Sequence, residues 1–575
     1  MRAVRTFALA LFLLPLSGCG ESRKPTPAAA ADNAAAGQHG MAMAHVPVTL
    51  ADWAHGAMLF DGLGNFHRAI TTNSPAAQQY FDQGMRLMWA FNHDEATRSF
   101  AHAAELDPDC ASCYWGVALT VGPNYNLLFM VGERAQVASQ ALALAQQHAA
   151  HTQPVEQALI AALASRYPSS KPLDPAATQP VLVAYAAAMK QVAKQFPADA
   201  DVQTLYAEAL MNTNAWKLWS TDGKAAPGTD EVVATLEAVL KAHPDHPGAN
   251  HYYVHALEAS PHPGTAVPAA ERLRSLMPAA GHLVHMPAHI MQRVGRYEDA
   301  AEANRRGAAA DLAYVGFTTP PDYYPVMYTA HNYQFLAYSA AMEGRRAETI
   351  TAADNSRKTV SDGMLLAMPG TDWYVAEMYT ARVRFGLWDE ILAMPAPNPK
   401  LMGLTGGYLY ARAMALAASG KLADAHAALA RLQSFAAGLP ADAPAGMNTV
   451  PALMAVAVPL VQARIAAAEH RTDDALAALR QAVAAEDRLA YNEPPDWFVP
   501  TRQVLGAALL QAGKPADAEK IYREDLQRNA ANGWSLYGLA AALKAQGKTA
   551  AAAQATKQFT TAWQRADVKL QASAY

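Results

Sequence analysis

One spacing constrains this chain more than any other: small residues recur with a 34-residue period. Counting Ala77 as position 1, Gly84 falls at 8, Ala96 at 20, Phe100 at 24, Ala103 at 27 and Pro108 at 32. The C-terminal end repeats the pattern, with Gly506, Ala518 and Tyr522 at 8, 20 and 24 when Val499 is position 1. Gly513 and Gly547 mark turns one period apart. Small residues at fixed points let two helices pack closely, and the bulky residue at 24 fills the gap between them. Further Gly-basic turns occur at Gly295-Arg296, Gly344-Arg345 and Gly420-Lys421, and helical segments near 181–196, 202–215 and 230–242 fit a degenerate form. No window alternates as a strand does.

This pattern resembles the tetratricopeptide repeat over most of 77–565. The resemblance implies an all-α fold, a right-handed superhelical solenoid of antiparallel helix pairs whose concave groove binds protein or peptide partners. Length alone suggests roughly four domains; the repeat replaces them with one solenoid, in which each pair is stabilised by its neighbours. Close helix packing also accounts for the abundance of alanine. A lead-in at 49–76 and a tail at 566–575 flank the solenoid. With 45 Lys+Arg against 50 Asp+Glu, the chain has no basic surplus to neutralise phosphates, so nucleic acid is excluded as a partner.

The N-terminus reads as an address. Arg2 and Arg5 precede a short apolar stretch, Thr6 to Pro15, and then Leu16-Ser17-Gly18-Cys19. This looks like a bacterial lipobox: residues 1–18 form a signal peptide and Cys19 takes the lipid, because its sulfur is the nucleophile. A plain cleaved signal peptide is the alternative. By resemblance to bacterial lipoproteins, Gly20 after the Cys favours the outer membrane, facing the periplasm. Residues 19–48 read as a flexible tether. Within it His39, Met41, Met43 and His45 present thioether and imidazole groups that suit Cu(I), unless the segment is merely a biased linker.

Chemistry concentrates in the His-rich central segment, 246–335. Shifting His251 and His255 by 34 lands on His285 and His289. With His282, Glu258 and Gln292, these occupy positions 2, 5, 9 and 12 of first helices, one stripe that in this repeat lines the concave wall. Aligning the Gly344 and Gly295 turns puts His331 at position 2 of the next unit. Two His at i, i+4 chelate one ion in helical metal sites, and imidazoles suit Zn, Cu or Fe. Two arrangements are open. One is a two-metal site with Glu258 bridging or acting as base; the other is a single site with the remaining histidines behind it. A groove that binds an anionic or peptide ligand through His and Tyr is the alternative without metal. Asn250, Glu258, Gln292, Asn332, Tyr323 and Tyr324 are candidate groove residues.

Pro287 disturbs this scheme. If its helix starts near Met286, His282 and His285 fall on the preceding loop. From His282 to His331 is 49 residues, 15 more than one period, and the insertion holds Tyr314, Phe317, Tyr323 and Tyr324. It is expected to act as a lid or as a packing cover.

Near the first repeat, His93, Asp94 and Glu95 fit a turn and an acidic helix start. Cys110-x-x-Cys113 fits a structural disulfide or two inert thiols in an oxidising compartment. Together the FNHDEA, CYWGVAL and HLVHMPAHI segments resemble a family of exported bacterial repeat proteins with no established activity. No phosphate loop, nucleophile elbow or HExxH motif appears. The expected function is a lipid-anchored periplasmic scaffold with a metal- or ligand-binding groove. A metal-dependent hydrolase or oxidoreductase and a copper-handling protein are the alternatives.

Overall fold

The computed structural model describes residues 47–575 apart from 128–131, 173–174, 319 and 322. The expected signal peptide, Cys19, and His39, Met41, Met43 and His45 of the expected tether lie outside the described residues. What is described is a succession of antiparallel helix pairs, a tetratricopeptide-type architecture. The one sheet among the described residues is a two-residue hairpin, Pro444–Ala445 with Asn448–Thr449.

Local chemistry explains the pairs. In the first, Pro75–Trp89 and His93–Leu106, Pro75 takes the first helical turn, where a missing N–H costs nothing. The Ser74 hydroxyl caps the same turn by accepting from Ala77 N at 3.2 Å. Phe100 is fully buried between Gly84 and Gly116, whose absent Cβ atoms would fall 2.6 and 2.5 Å from its ring carbons. Tyr522 fills the same niche between Gly506 and Gly538. At the turns Gly513 and Gly547 take φ of 69° and 73°, the left-handed region that a side chain resists.

The solenoid does not leave its central repeats open. The lead-in straps across it: after a short helix, Leu50–Ala54, Arg68 reaches Asp201 at 2.6 Å and Asp199 at 3.0 Å, and Gly62 O accepts from Ala279 N at 3.0 Å. From the other end, Trp534 Nε1 donates to Ala341 O at 2.7 Å. The tail returns as well, where Asp567 accepts from Arg346 N at 2.7 Å and Ser573 donates to Gln503 O at 2.9 Å. The His-rich segment therefore lies in the interior. The expected concave wall is a buried cluster, with His251 and His285 at 0 % exposure. Lead-in, first pair and the C-terminal loop all bury apolar surface here, which an open groove would leave in water.

Candidate metal centre

Four helical segments bring six histidines together. His251 and His255 stand one turn apart on Pro247–Leu257. His282 and His285 lie on Gly281–His285, His289 lies on Pro287–Arg293, and His331 lies at the start of Ala330–Met342. Of the two outcomes that Pro287 left open, the late helix start with His282 and His285 on a loop does not occur. Met286 keeps helical angles, φ −51° and ψ −33°, so the proline interrupts hydrogen bonding without unwinding the backbone. His282 and His285 stay on one helical face with His289.

The rings form two trios, His251/His255/His282 and His285/His289/His331. Within each trio one nitrogen per ring lies within 4.8 Å of the others. The trios adjoin, with ring centroids 5.8 Å apart for His282 and His285 and 5.9 Å for His255 and His289.

Four of the six rings have their outer nitrogen hydrogen-bonded, and that of a fifth faces two carboxylates. Nδ1 of His251 donates to Trp89 O at 2.6 Å, that of His255 to Glu258 Oε1 at 3.0 Å, and that of His285 to Asn304 Oδ1 at 2.6 Å. Asn304 Nδ2 donates to Ala300 O at 2.7 Å, which fixes its oxygen toward the ring. Nδ1 of His331 faces Gln334 Oε1 at 3.3 Å. Nδ1 of His289 lies 2.7 Å from Glu258 Oε2 and 2.9 Å from Glu493 Oε2. These oxygens only accept, so each Nδ1 carries the proton and each Nε2 faces inward. An acceptor behind each imidazole is how metal-ligating histidines are oriented.

The inward atoms are close. His251 Nε2 is 3.1 Å from His282 Nε2, and His285 Nε2 is 2.8 Å from His289 Nε2. Two nitrogens about 2.1 Å from one ion subtend roughly 85–95° at such separations. Without an ion, N–H···N bonds close the same pairs. His255 Nε2 is buried with no partner at all, a state that costs a polar group about 1–3 kcal/mol.

Burial, and then the neighbouring imidazoles, push His251, His282 and His285 well below the ordinary histidine value. His331 falls to about 3, chiefly through burial. His289 is the exception. Burial opposes its charge, but Glu258 and Glu493 overcome that and raise it to about 9. Burial likewise works against the Glu258 carboxylate, and His255 and His289 hold it down.

Several expectations change. Glu258 stands on the Nδ1 side of His255 and His289, away from the convergent Nε2 atoms. It orients rings and is not placed to bridge two ions or to serve as base at them. It also forms, with His289 and Glu493, a third set within ion-binding reach. Asn250 does not line a groove: its amide donates to Pro244 O at 2.7 Å and His246 O at 2.9 Å. Asn332 and Tyr324 both donate to Asp311, at 2.8 and 2.9 Å, and Tyr323 sits against Asp94 and Arg134. Gln292 is buried, its Oε1 without a partner. The aromatic insertion is a cover, tied to the first repeat by Tyr314 to Glu95 at 3.1 Å and Tyr328 to Phe91 O at 3.0 Å.

The sequence reading missed the cluster's aromatic walls. Phe91 lies 4.4, 5.6 and 5.5 Å from His251, His255 and His282. Phe335 lies 4.9, 4.6 and 5.2 Å from His285, His289 and His331. Tyr125 and Trp216 flank His255 at 5.2 and 5.7 Å. Only Phe335 carried a local signal, one helical turn beyond His331. Phe91 and Trp216 adopt φ of 56° and 59°, strain that a non-glycine residue keeps only where its surroundings enforce it. Phe91 occupies the turn position that glycine holds at Gly295 and Gly344. Phe91→Gly is therefore expected to be more stable than Phe91→Ala by about 1 kcal/mol, the reverse of the usual order. Urea unfolding midpoints of the two variants check this.

Cys110 and Cys113 form a disulfide. Asp94 and Glu95 lie in the first turn of their helix as expected, but the helix begins at His93, which was expected in the turn; Asp94 pairs with Arg134 at 2.7 Å.

No family model matches this chain, and no curated protein matches it. Among solved structures, the human IFIT1 dimer with m7Gppp-AAAA is 12 % identical at a TM-score of 0.28, covering 86 % of this chain and 91 % of that one. The Cut9–Hcn1 hetero-tetramer of APC/C is 12 % identical at 0.30, covering 86 % and 75 %. The P58(IPK) TPR domain is 15 % identical at 0.20, covering 84 % and 92 %.

Proposed function

We propose that this chain is a metalloenzyme, a helical-repeat scaffold that encloses two adjacent copper ions, one in each histidine trio. The observation that carries the reading is the set of four Nδ1 atoms hydrogen-bonded to outer acceptors, with that of His289 set against two carboxylates, which leaves the Nε2 atoms facing inward. Three protein ligands per ion leave a position for a small molecule, the pattern of catalytic sites. The inward donors are all imidazole. Helical two-metal sites for iron or manganese use glutamate ligands; an all-imidazole donor set suits copper or zinc, and the thioether and imidazole groups of Met41, Met43, His39 and His45, which suit Cu(I), favour copper. An adjacent copper pair supplies two electrons' worth of redox capacity to one bound molecule, so the class is oxidoreductase.

The lipobox-like Leu16-Ser-Gly-Cys19 supports an outer-membrane anchor facing the periplasm. The Cys110–Cys113 disulfide fits an exported, oxidising compartment. His39, Met41, Met43 and His45 would then offer a Cu(I) relay ahead of the buried centre.

The test is elemental analysis of untagged protein, as purified and after Cu(I) reconstitution under reducing conditions. Two ions per chain are expected in the parent and one in His251→Ala. Absence of stoichiometric metal in both preparations overturns the reading. Two zinc ions with no copper uptake overturn the redox class.

A further inference from the structure

Outside the buried cluster lies one pocket whose wall the cluster shares. It is open to solvent and encloses about 470 Å³. Its sides are aromatic and apolar: Trp216, Trp219, Tyr491 and Met447, with Lys217 and Lys224 among the polar residues of its lining. Trp216 faces both ways, because its ring also packs edge-on against His255 at 5.7 Å. Trp219 Nε1 donates to Ala256 O at 2.7 Å, so the second indole is pinned to the residue after His255. Tyr491 is held by Arg293, which stacks at 5.4 Å and reaches its hydroxyl at 3.3 Å, while the same guanidinium donates to Glu258 O. Two residues beyond Tyr491, Glu493 abuts His289. Each aromatic wall is thus anchored to a residue in or beside the cluster, and Trp216 keeps a strained backbone to hold its place.

We infer that this pocket binds the substrate, a small planar aromatic compound bearing one anionic group. The inference rests on the metalloenzyme reading for its consequence, but not for its binding. Two indoles, a phenol and a thioether line the pocket, and a flat ring seated among them gains from stacking as well as burial. Lys224 is paired with Asp222 at 2.7 Å. Lys217 has no ion-pair partner among the described residues, and it supplies the charge complementarity for a carboxylate or phenolate. A ring seated here lies one indole away from His255, the trio member whose Nε2 is buried without a partner.

The probe is 4-hydroxybenzoate, titrated by calorimetry into metal-free protein with chelator present. Cyclohexanecarboxylate serves as the non-aromatic control and 4-hydroxybenzamide as the uncharged one. Met447 is the exposed tip of the small hairpin, so Met447→Trp fills the pocket without touching the core. That variant is expected to weaken 4-hydroxybenzoate at least about tenfold, as loss of the stacked ring's burial requires. Lys217→Glu is expected to weaken it about three- to fivefold, the scale of one exposed ion pair, and to leave 4-hydroxybenzamide unchanged. Failure of 4-hydroxybenzoate to bind the parent, or binding that Met447→Trp does not alter, overturns the inference. Equal binding of cyclohexanecarboxylate overturns the aromatic class. If the parent takes up no metal yet binds 4-hydroxybenzoate with this variant pattern, the pocket stands and the metalloenzyme reading falls.

Discussion

His289→Ala is expected to destabilise the metal-free protein by about 3–5 kcal/mol, the scale of removing one partner from a buried charge pair. Its imidazolium lies 2.7 Å from Glu258 and 2.9 Å from Glu493, both carboxyls buried. Without it, Glu258 keeps His255, but Glu493 keeps only Arg293, at 3.9 Å. His331→Ala removes the same ring from the same trio, but leaves behind only the Gln334 amide. Its cost is expected to be lower by about 2 kcal/mol. Urea unfolding in chelator measures both. Because Glu258 and Glu493 share one imidazolium, and burial holds Glu493 up at about 7 even beside it, adding Glu493→Gln to His289→Ala should recover part of the loss, a coupling that two independent sites would not show. Equal costs for the two histidine variants would sink the claim that His289 neutralises this corner. Both variants are also expected to lose the ion of the second trio, which separates ligation from stability.

What could be read in advance follows the reach of local periodicity. Gly84, Phe100, Gly506 and Tyr522 obey one packing rule repeated along the chain, and the structure places them accordingly. The histidine register is legible for the same reason: His251 and His285 stand one period apart, so any stacking of repeats brings them near each other. His331 needed only the extra 15 residues to be recognised as an insertion. What stayed hidden comes from far along the chain. Trp89 accepts from His251 across 162 positions, and Tyr328 reaches Phe91 across 237. Glu493 approaches His289 from a loop whose own sequence carries no repeat signal. Such contacts arise because lead-in, first pair and tail close over the central repeats, and no spacing rule encodes closure. The open groove was the one expectation that depended on closure being absent, and it failed together with the groove roles of Asn250, Asn332, Tyr323 and Tyr324. Pro287 left two outcomes open in the sequence, a lost hydrogen bond or a late helix start, and the structure selects the first. A proline removes one hydrogen bond, yet neighbouring repeats hold the helix on either side of it.

The second large effect is a pH dependence centred on Asp311. This carboxyl is fully buried beneath Gly281, whose missing side chain leaves the space it occupies. Tyr324 and Asn332 donate to its two oxygens, but neither carries charge to offset desolvation. Burial therefore raises Asp311 from 3.8 to about 7. The sign follows directly. The folded state binds a proton between those values that the unfolded state does not, so this group's contribution is fully present below about 4 and is lost as pH rises through about 7. A shift of this size corresponds to roughly 4 kcal/mol at its upper bound. Asp311→Asn removes the ionisation while keeping a planar group that accepts from one neighbour and donates to the other's hydroxyl. The variant is expected to lose this group's share of the decline between pH 5 and pH 8 while keeping that of buried Glu486, Glu493 and Asp496, which burial raises to about 7, 7 and 6, so the two unfolding curves should diverge with rising pH. Parallel curves over that range would mean that the Asp311 carboxyl ionises in the folded state at its ordinary value, and that the hydrogen bonds from Tyr324 and Asn332 suffice to hold the charge.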